Sequence, residues 1–350
     1  MRNLFLYAFV AMATALGAFV TACRPNAGAD VPDAVPSVYY WRTTLALDST
    51  ERAFLADHRV GKVYLRLFDV VAREGKCVPS ATITFNDTLP DTMRVVPVVF
   101  LTEDCLRADI AGLAKHIVER AMKMCATHKL PGVKELQIDC DWTPTSRAAY
   151  YNLLRQVRSL LSAQGMRLSV TVRLHQLSQP EPPADYGVLM LYNTGDFRNR
   201  QSRNPIFATE DVEPYLPHLK AYPLPLCAAY PNFRWQRLFS GNDFKALLYS
   251  ENLRDSTVYE PMGGDSLYRV VQGRTLHGVL RGAYDVHLSP GDEVLVSRAH
   301  PDEVLRLAHK IHQVRPSLHR QVIFYHLDNP SIENYKPDDY ETLYRLYEVH

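Results

Sequence analysis

Charged and polar side chains alternate with apolar ones in two short segments of the sequence. In residues 136–143, Asp139 and Asp141 stand at alternate positions between apolar residues, and in residues 167–175 Arg173 and His175 do the same. Because successive side chains of a strand point to opposite faces, each segment predicts a strand with one apolar and one polar face. Carboxylates on such a face can perform acid–base chemistry on a substrate, or they can be paired in a structural network.

Further polar and aromatic side chains stand on or after other strand-like segments. We predict as catalytic residues Asp141, Asp139 and Glu103, and as substrate-binding residues Arg66, Arg173, His175, Tyr192, Asn193, Tyr230, Tyr325 and Asp328. Aromatic rings stack on the apolar faces of sugars, and carboxylates and amides form hydrogen bonds with sugar hydroxyls. The set therefore predicts a glycan or another small molecule as ligand. The alternative is a structural network in which Arg66 and Arg173 only neutralise Asp139 and Asp141.

Eight strand-like segments, mostly separated by helices, predict an α/β fold of the (β/α)8 type, the TIM-like barrel. The segments are residues 38–41, 62–68, 94–101, 134–141, 167–174, 187–192, 224–230 and 321–327. Helical periodicity covers residues 106–128 and 144–163. In such a barrel the predicted site residues gather where the strands end, at the carboxyl-terminal mouth. A doubly wound open sheet is the alternative, but no GxGxxG motif follows the first strand.

The domain boundaries follow from composition. Residues 1–22 have a short cationic start and an apolar run, which is typical of an export signal, and residues 23–36 form a linker rich in Pro, Ala and Asp. The barrel then occupies residues 37–350, with an insertion at residues 231–299 after the seventh strand that is partly strand-like and suits a small β-subdomain.

The segment Val20-Thr21-Ala22-Cys23 resembles the bacterial lipobox, in which the cysteine carries the lipid. We therefore predict acylation of Cys23, for example with palmitate, and a lipoprotein tethered to a membrane of the bacterial cell envelope. Its bulk would face the periplasm or the outer surface. The alternative is that the apolar run stays in the bilayer as a span.

Composition excludes several classes of function. The chain has 350 residues with 39 Lys and Arg against 38 Asp and Glu, so it lacks the basic excess that is usual in nucleic-acid binders. The sequence contains no CxxC or HxxxH spacing, so it predicts no metal site, and it contains no cofactor motif. The sequence also contains no GxSxG motif, which would indicate a serine hydrolase.

Three short segments follow one family's pattern. Residues 136–143 (LQIDCDWT) read close to D-x-x-D-x-D-x-E, with Asp139 and Asp141 at its second and third acidic positions. Residues 190–193 (MLYN) read close to M-x-Y-D, and residues 325–328 (YHLD) read close to W-x-x-D. The chain thus resembles the chitinase-like glycoside hydrolases of family 18.

This resemblance implies a barrel fold and a glycan substrate. In that family the last Glu of the first motif protonates the glycosidic oxygen, and the Asp before it supports an N-acetyl group that acts as the nucleophile. Asp141 matches this Asp, whereas Thr143 stands at the Glu position and Leu136 at the first acidic position. The catalytic motif is therefore degraded.

Three functions remain open. The first is a glycoside hydrolase that uses carboxylate acid–base chemistry, with Asp141 in one role and another carboxylate in the second. The second is a catalytically inactive, glycan-binding barrel, which the Thr143 replacement favours. The third is an assembly or interaction protein of the cell envelope.

Overall fold

The computed structural model describes residues 35–108, 110–248, 251–278 and 284–348. The predicted export signal, Cys23 and nearly all of the predicted linker lie outside the described residues. Within the described part, no helix is both long enough and apolar enough to cross a lipid bilayer.

The strands are numbered in chain order. They are β1 (Ser37–Tyr40), β2 (Thr44–Leu45), β3 (Lys62–Arg73), β4 (Lys76–Ser80), β5 (Thr84–Phe85), β6 (Arg94–Leu101), β7 (Glu135–Cys140), β8 (Arg167–Val172), β9 (Tyr186–Met190), β10 (Leu226–Pro231), β11 (Arg234–Ser240), β12 (Asp243–Leu248), β13 (Tyr259–Pro261), β14 (Leu267–Val270), β15 (Arg274–Gly278), β16 (Tyr284–Leu288), β17 (Glu293–Arg298) and β18 (Val322–Tyr325).

The α-helices are α1 (Ser49–Asp57), α2 (Leu113–Thr127), α3 (Arg147–Ser162), α4 (Thr209–Val212), α5 (Leu216–Ala221), α6 (Pro301–Val314), α7 (Asn329–Ile332) and α8 (Pro337–Tyr344). Short 3-10 helices cover Glu103–Arg107, Leu174–Ser178, Glu213–Tyr215 and Pro316–Arg320.

Eight parallel strands close into a barrel. Its order is β1-β18-β10-β9-β8-β7-β6-β3, and β1 also pairs with β3, so that the sheet has no open edge at this point. The hairpin strand β4 adds to the outside of β3 in antiparallel orientation. The predicted (β/α)8 fold is confirmed, and the open-sheet alternative is wrong.

The helices of the barrel are amphipathic. In α3, for example, Tyr150, Leu154, Val157 and Leu161 are buried at helical spacing. The predicted helix at residues 106–128 is shorter in the structure, because α2 begins only after Gly112, its N-cap residue, which has a positive φ of 72°. The chain before it forms the 3-10 helix Glu103–Arg107, which follows directly from the end of β6.

The insertion after the seventh barrel strand is confirmed. It lies between β10 and α6 and contains an antiparallel sheet of five strands in the order β12-β11-β17-β14-β13, together with the hairpin β15–β16. This segment has its own apolar cluster, which includes Leu238, Leu248, Val270, Leu288 and Val294.

Candidate functional site

The polar faces of β7 and β8 point into the barrel, as their alternation predicts. The Thr171 hydroxyl donates to Oδ1 of Asp139 at 2.6 Å. In the next layer of side chains towards the amino end of the barrel, the Tyr39 hydroxyl donates to Oε1 of Gln137 at 2.7 Å. Asp139 is only 2% exposed, whereas the side chain of Asp141, at the end of the same strand, is 56% exposed. The lumen therefore becomes accessible to solvent between these two aspartates.

Arg173 joins the two aspartates. Its Nη2 lies 3.4 Å from Oδ1 of Asp139, and its Nε donates to Oδ1 of Asp141. Burial lowers the pKa of Arg173, but the two neighbouring carboxylates outweigh this effect and raise the pKa above its ordinary value. The guanidinium is therefore a fixed positive charge at the base of the mouth.

A β-bulge in β3 brings a further acidic residue, Asp69, to the mouth of the barrel. Arg66 pairs with Val98 of β6 and Phe68 pairs with Val99, so Leu67 is the extra residue. The bulge turns Phe68 towards α2, where the Arg120 guanidinium lies 5.1 Å from its ring. Asp69 consequently lies beside Arg66, whose Nε donates to its Oδ1 at 2.7 Å.

Arg66 is therefore not a partner of Asp139 or Asp141, and this part of the predicted network is wrong. Its guanidinium is bound to Asp69 and lies 5.5 Å from the ring of Trp41. Arg173 alone performs the predicted neutralisation of the two aspartates.

Asp139 has an unusual electrostatic environment. Burial has the largest effect on the pKa of its carboxyl group and raises it, and the charges of Asp141 and Asp69 raise it further. Arg173 and the Thr171 hydroxyl lower the pKa, but the net result is a pKa raised to about 6. The carboxylate form of Asp139 is thus less stable than that of an ordinary aspartate, in spite of the neighbouring guanidinium.

Glu103 lies next to the residue that replaces the general acid of the resembling family. The hydroxyls of Thr143 and Ser146 both donate to its Oε1, at 2.5 and 2.7 Å, and Nη2 of Arg107 lies 3.6 Å from Oε2. The hydrogen bond from Thr143, the one from Ser146 and the charge of Arg107 lower the pKa of Glu103. Glu103 is therefore a carboxylate, and not a proton donor, at neutral pH.

A cavity of about 530 Å³ opens at the mouth above Asp141 and Arg173. It is lined by Asp141, Arg173, His175, Tyr192, Asn193, Thr194, Glu210, Asp211 and Tyr215, with Leu174, Met190 and Pro214. Four of the predicted substrate-binding residues, namely Arg173, His175, Tyr192 and Asn193, thus lie around one cavity with the predicted catalytic residue Asp141. The hydroxyl of Tyr192 is buried and has no hydrogen-bond partner among the described residues.

An aromatic wall lies beside Tyr192, at the same end of the barrel. Tyr325 stacks on Tyr192 with a centroid distance of 4.8 Å, and it contacts Trp41 at 5.8 Å and Phe233 at 5.6 Å. Trp235 continues the wall, 5.4 Å from Phe233. Trp41, Tyr325 and Trp235 are partly exposed.

Two predicted binding residues do not line the mouth. Tyr230 is completely buried, and its hydroxyl contacts Nε2 of His319 at 2.8 Å, outside the barrel wall. Asp328 is also buried, and it caps α7 by accepting from the backbone N–H of Ser331 at 2.9 Å. His326 Nε2 lies 3.2 Å from its other oxygen. Neither residue lines the cavity, because these polar groups are used within the fold.

Sequence reasoning missed several residues of the mouth. Asp69 was hidden by the bulge, which reverses the alternation that located Asp139. Glu210, Asp211 and Tyr215 lie in the segment after β9 and come to the cavity through the short helices there. The approach of Trp235 depends on the path of the insertion. Of these missed residues, only Trp41 could have been predicted from the sequence, since it is an aromatic residue directly after the strand β1.

Comparison with known proteins identifies the fold. A chitinase from Chromobacterium violaceum superposes with a TM-score of 0.54 at 13% identity, over 91% of this chain and 99% of that chain. A Group IV chitinase from Ostrinia furnacalis in complex with allosamidin gives a TM-score of 0.51 at 12% identity, over 90% and 99%. Catalytic domain 2 of the Group II chitinase of the same insect gives 0.50 at 11%, over 90% and 97%. This chain has the barrel fold of the chitinases.

No protein-family model and no curated protein sequence matches the chain. In this chitinase-like barrel the motif residues occupy the places that the resemblance implies: Asp139 lies within β7 and Asp141 directly after it, and Tyr192 follows β9. Thr143 lies at the family's Glu position and is hydrogen-bonded to Glu103 of the neighbouring strand end. Within the described residues no group of three or more His, Cys, Asp or Glu side chains is arranged to hold a metal ion.

Proposed function

We propose that the protein binds a glycan in the mouth of its chitinase-like barrel and does not cleave it. The observation that carries this proposal is the contrast between an open, partly aromatic mouth and the environment of Thr143, where the neighbouring carboxyl group of Glu103 is held ionised. Recognition requires only complementary surfaces, whereas hydrolysis requires a protonated acid beside the leaving oxygen.

The mouth supplies the groups that bind sugars. The partly exposed aromatic side chains of Trp41, Tyr325 and Trp235 provide apolar surface that can contact the apolar side of a sugar ring. The Tyr192 hydroxyl, which lacks a partner in the described structure, can bind a sugar hydroxyl or an amide carbonyl. Asp141 and Asn193 border the same cavity and supply further donors and acceptors.

The carboxyl groups are poorly suited to proton donation. Glu103 has a lowered pKa, so it is ionised when the ligand would need a proton. Asp139 has a pKa raised to about 6, but it is 2% exposed and occupied by Thr171 and Arg173. Asp141 is exposed, and its Oδ1 accepts a hydrogen bond from Nε of Arg173.

Hydrolysis is the second candidate, and the position of Glu103 favours it. Its Oε1 lies 2.5 Å from Oγ1 of Thr143, so a carboxyl group is present close to where the resembling family has its acid. A ligand that displaced the Thr143 and Ser146 hydroxyls and also buried Glu103 would raise the pKa of Glu103 towards the range that a general acid needs.

A binding assay with a matched pair of variants distinguishes these functions. Oligomers of β-1,4-linked N-acetylglucosamine, peptidoglycan fragments and α-glucans are titrated into the protein by calorimetry, and reducing ends are counted in parallel. Tyr192→Phe removes the partnerless hydroxyl at the mouth. Tyr222→Phe removes an equally partnerless, buried hydroxyl that does not line the cavity, and it serves as the control.

We expect one glycan class to bind with no release of reducing ends, and Tyr192→Phe to weaken that binding about three- to tenfold. The control variant should bind as the wild type does. Turnover by the wild type would overturn the proposal in favour of hydrolysis, and the absence of binding to every glycan would favour a role in envelope assembly.

We further propose that Cys23 carries a lipid anchor and that the protein belongs to the bacterial cell envelope, facing the periplasm or the outer surface. The lipobox-like segment Val20–Cys23 supports this proposal. Labelling with a radioactive or clickable fatty acid in a bacterial host tests it. Labelling should be lost in Cys23→Ala, and unchanged labelling would refute the proposal.

A further inference from the structure

A second cavity opens at the amino end of the barrel, opposite the mouth. It has a volume of about 380 Å³ and is lined by Lys62, Arg94, Lys134, Glu135 and Arg167, together with Val95, Val96 and Gly132. Gly132 forms the turn before β7 with a φ of 61°, and a Cβ at this position would lie 3.1 Å from the carbonyl oxygen of Met93. The turn therefore packs closely against the start of β6.

The strand register brings the basic residues together. Lys62, the first residue of β3, is paired with Arg94, the first residue of β6, and Glu135 of β7 is paired with Arg167 of β8. Lys134 directly precedes β7. Because neighbouring parallel strands begin at the same level, four cationic side chains and one carboxylate surround the cavity.

Lys62 forms the floor of this cavity. Its side chain is 4% exposed, and its Nζ has no hydrogen-bond acceptor among the described residues. The nearest acid is Glu135, whose Oε2 lies 3.9 Å away, while its Oε1 accepts from Ser169 and Tyr186. Burial lowers the pKa of Lys62, and Glu135 opposes this effect. A buried ammonium group with unused donors is unstable unless a further acceptor reaches it.

The charges around the cavity select an anion. Lys62, Lys134 and Arg167 face a single carboxylate, that of Glu135, which already accepts hydrogen bonds from Ser169 and Tyr186. Lys134 and Arg167 are exposed at the rim, where they can close around a ligand that touches Lys62. Guanidinium and ammonium groups arranged in this way suit a compact oxyanion with several acceptor oxygens.

We propose that the cavity at the amino end of the barrel is a binding site for a phosphate group, held by Lys62 at its floor and by Lys134 and Arg167 at its rim. This site is separate from the glycan mouth, and it does not depend on the function proposed for that mouth.

The phosphate has two possible sources, free phosphate and the headgroup of an anionic membrane lipid. The backbone N–H of Gly61, next to Lys62, donates to the carbonyl oxygen of Pro36, so the chain enters the barrel beside the cavity. Twelve residue steps separate Val35 from Cys23 and reach at most about 40 Å. If Cys23 carries the proposed anchor, the barrel is tethered to the lipid surface by a chain that enters it beside this cavity.

The test uses inorganic phosphate in one arm and lipid vesicles in the other. The protein is titrated with phosphate by calorimetry at a constant 150 mM NaCl. At this ionic strength the Debye length is about 8 Å, so weak attraction between phosphate and more distant surface charges is screened. In the second arm it is sedimented with vesicles of phosphatidylglycerol or of phosphatidylcholine. Lys62→Met changes the floor and Lys134→Gln the rim, and Lys115→Gln removes an exposed lysine of α2 as the matched control.

We expect saturable binding of phosphate that weakens at least tenfold in Lys62→Met and at least threefold in Lys134→Gln, with the control unchanged. Binding to phosphatidylglycerol alone, with the same pattern among the variants, supports the site and identifies a lipid headgroup as its ligand. Absence of binding in both arms, or equal losses in Lys134→Gln and Lys115→Gln, overturns the proposal. Because Lys134 is exposed, its variant gives an answer even where Lys62→Met does not fold.

Discussion

Replacing Asp139 with Asn should stabilise the protein, and should do so only above a certain pH. The carboxyl of Asp139 has its pKa raised from an ordinary value of 3.8 to about 6, first of all by burial. The folded state therefore holds the proton more tightly than the unfolded chain does. As the pH rises from about 4 to about 6, the wild type loses stability, because folding then requires a buried carboxylate.

The size of the effect follows from the two pKa values. A rise from 3.8 to about 6 corresponds to about 3 kcal/mol of unfolding free energy once the group is ionised. Asn resembles the protonated carboxyl, and its side-chain oxygen can still accept from Thr171. We therefore expect Asp139→Asn to exceed the wild type by about 3 kcal/mol at pH 8 and by less than about 1 kcal/mol at pH 4.

Urea unfolding at a series of pH values between 4 and 8 measures this difference. Asp104→Asn, an exposed carboxylate after β6, is the control and should follow the wild type within about 0.5 kcal/mol at every pH. A variant that is less stable than the wild type at pH 8 would refute the reasoning, because Arg173 would then stabilise the ionised Asp139 by more than burial costs it. A difference that does not change with pH would refute it as well.

Three further predictions concern the mouth and the turn before β7. Thr143→Glu places the family's acid beside the carboxylate of Glu103, and this negative charge should raise the pKa of the new carboxyl group. We therefore expect the variant to release reducing ends from the bound glycan, whereas the control Thr143→Gln should release none. Tyr192→Phe should weaken glycan binding about three- to tenfold by calorimetry, with Tyr222→Phe unchanged. Gly132→Ala should lower the unfolding free energy by about 1–2 kcal/mol in urea, because its φ is positive; an unchanged value would contradict this.

Alternation along the strands predicted the part of the site that lies on regular strands. Asp139 lies on β7, Asp141 directly follows β7 and Arg173 directly follows β8; one face of each strand is polar and the other apolar, and the structure brings the three residues together. The barrel itself was predictable because the eight strand segments are short, apolar and mostly separated by helical periodicity.

The predictions failed where alternation was interrupted or absent. The bulge at Leu67 reverses the faces of β3, so Arg66 received the wrong partner and Asp69 was missed. The strand β10 is buried on both sides, and its sequence could not show that Cys227 lies near Lys62 in the lumen while Tyr230 points outwards. Such a uniformly apolar strand has no sequence signal for its faces.

Side chains from the insertion and from a short helix were beyond prediction for another reason. Trp235 and Phe233 reach the aromatic wall from the start of the insertion, and no periodicity fixes the path of such a connection. The use of Asp328 as a helix cap also depends on a short helix of four residues, which is too brief to be recognised in the sequence.

The central claim is that the mouth recognises a glycan without cleaving it. The most direct measurement is a calorimetric titration of the wild-type protein with oligomers of β-1,4-linked N-acetylglucosamine and the other glycans of the panel. The account predicts heat that saturates with one glycan class and then ceases. Continuous heat from turnover, or no heat with any glycan, would contradict it.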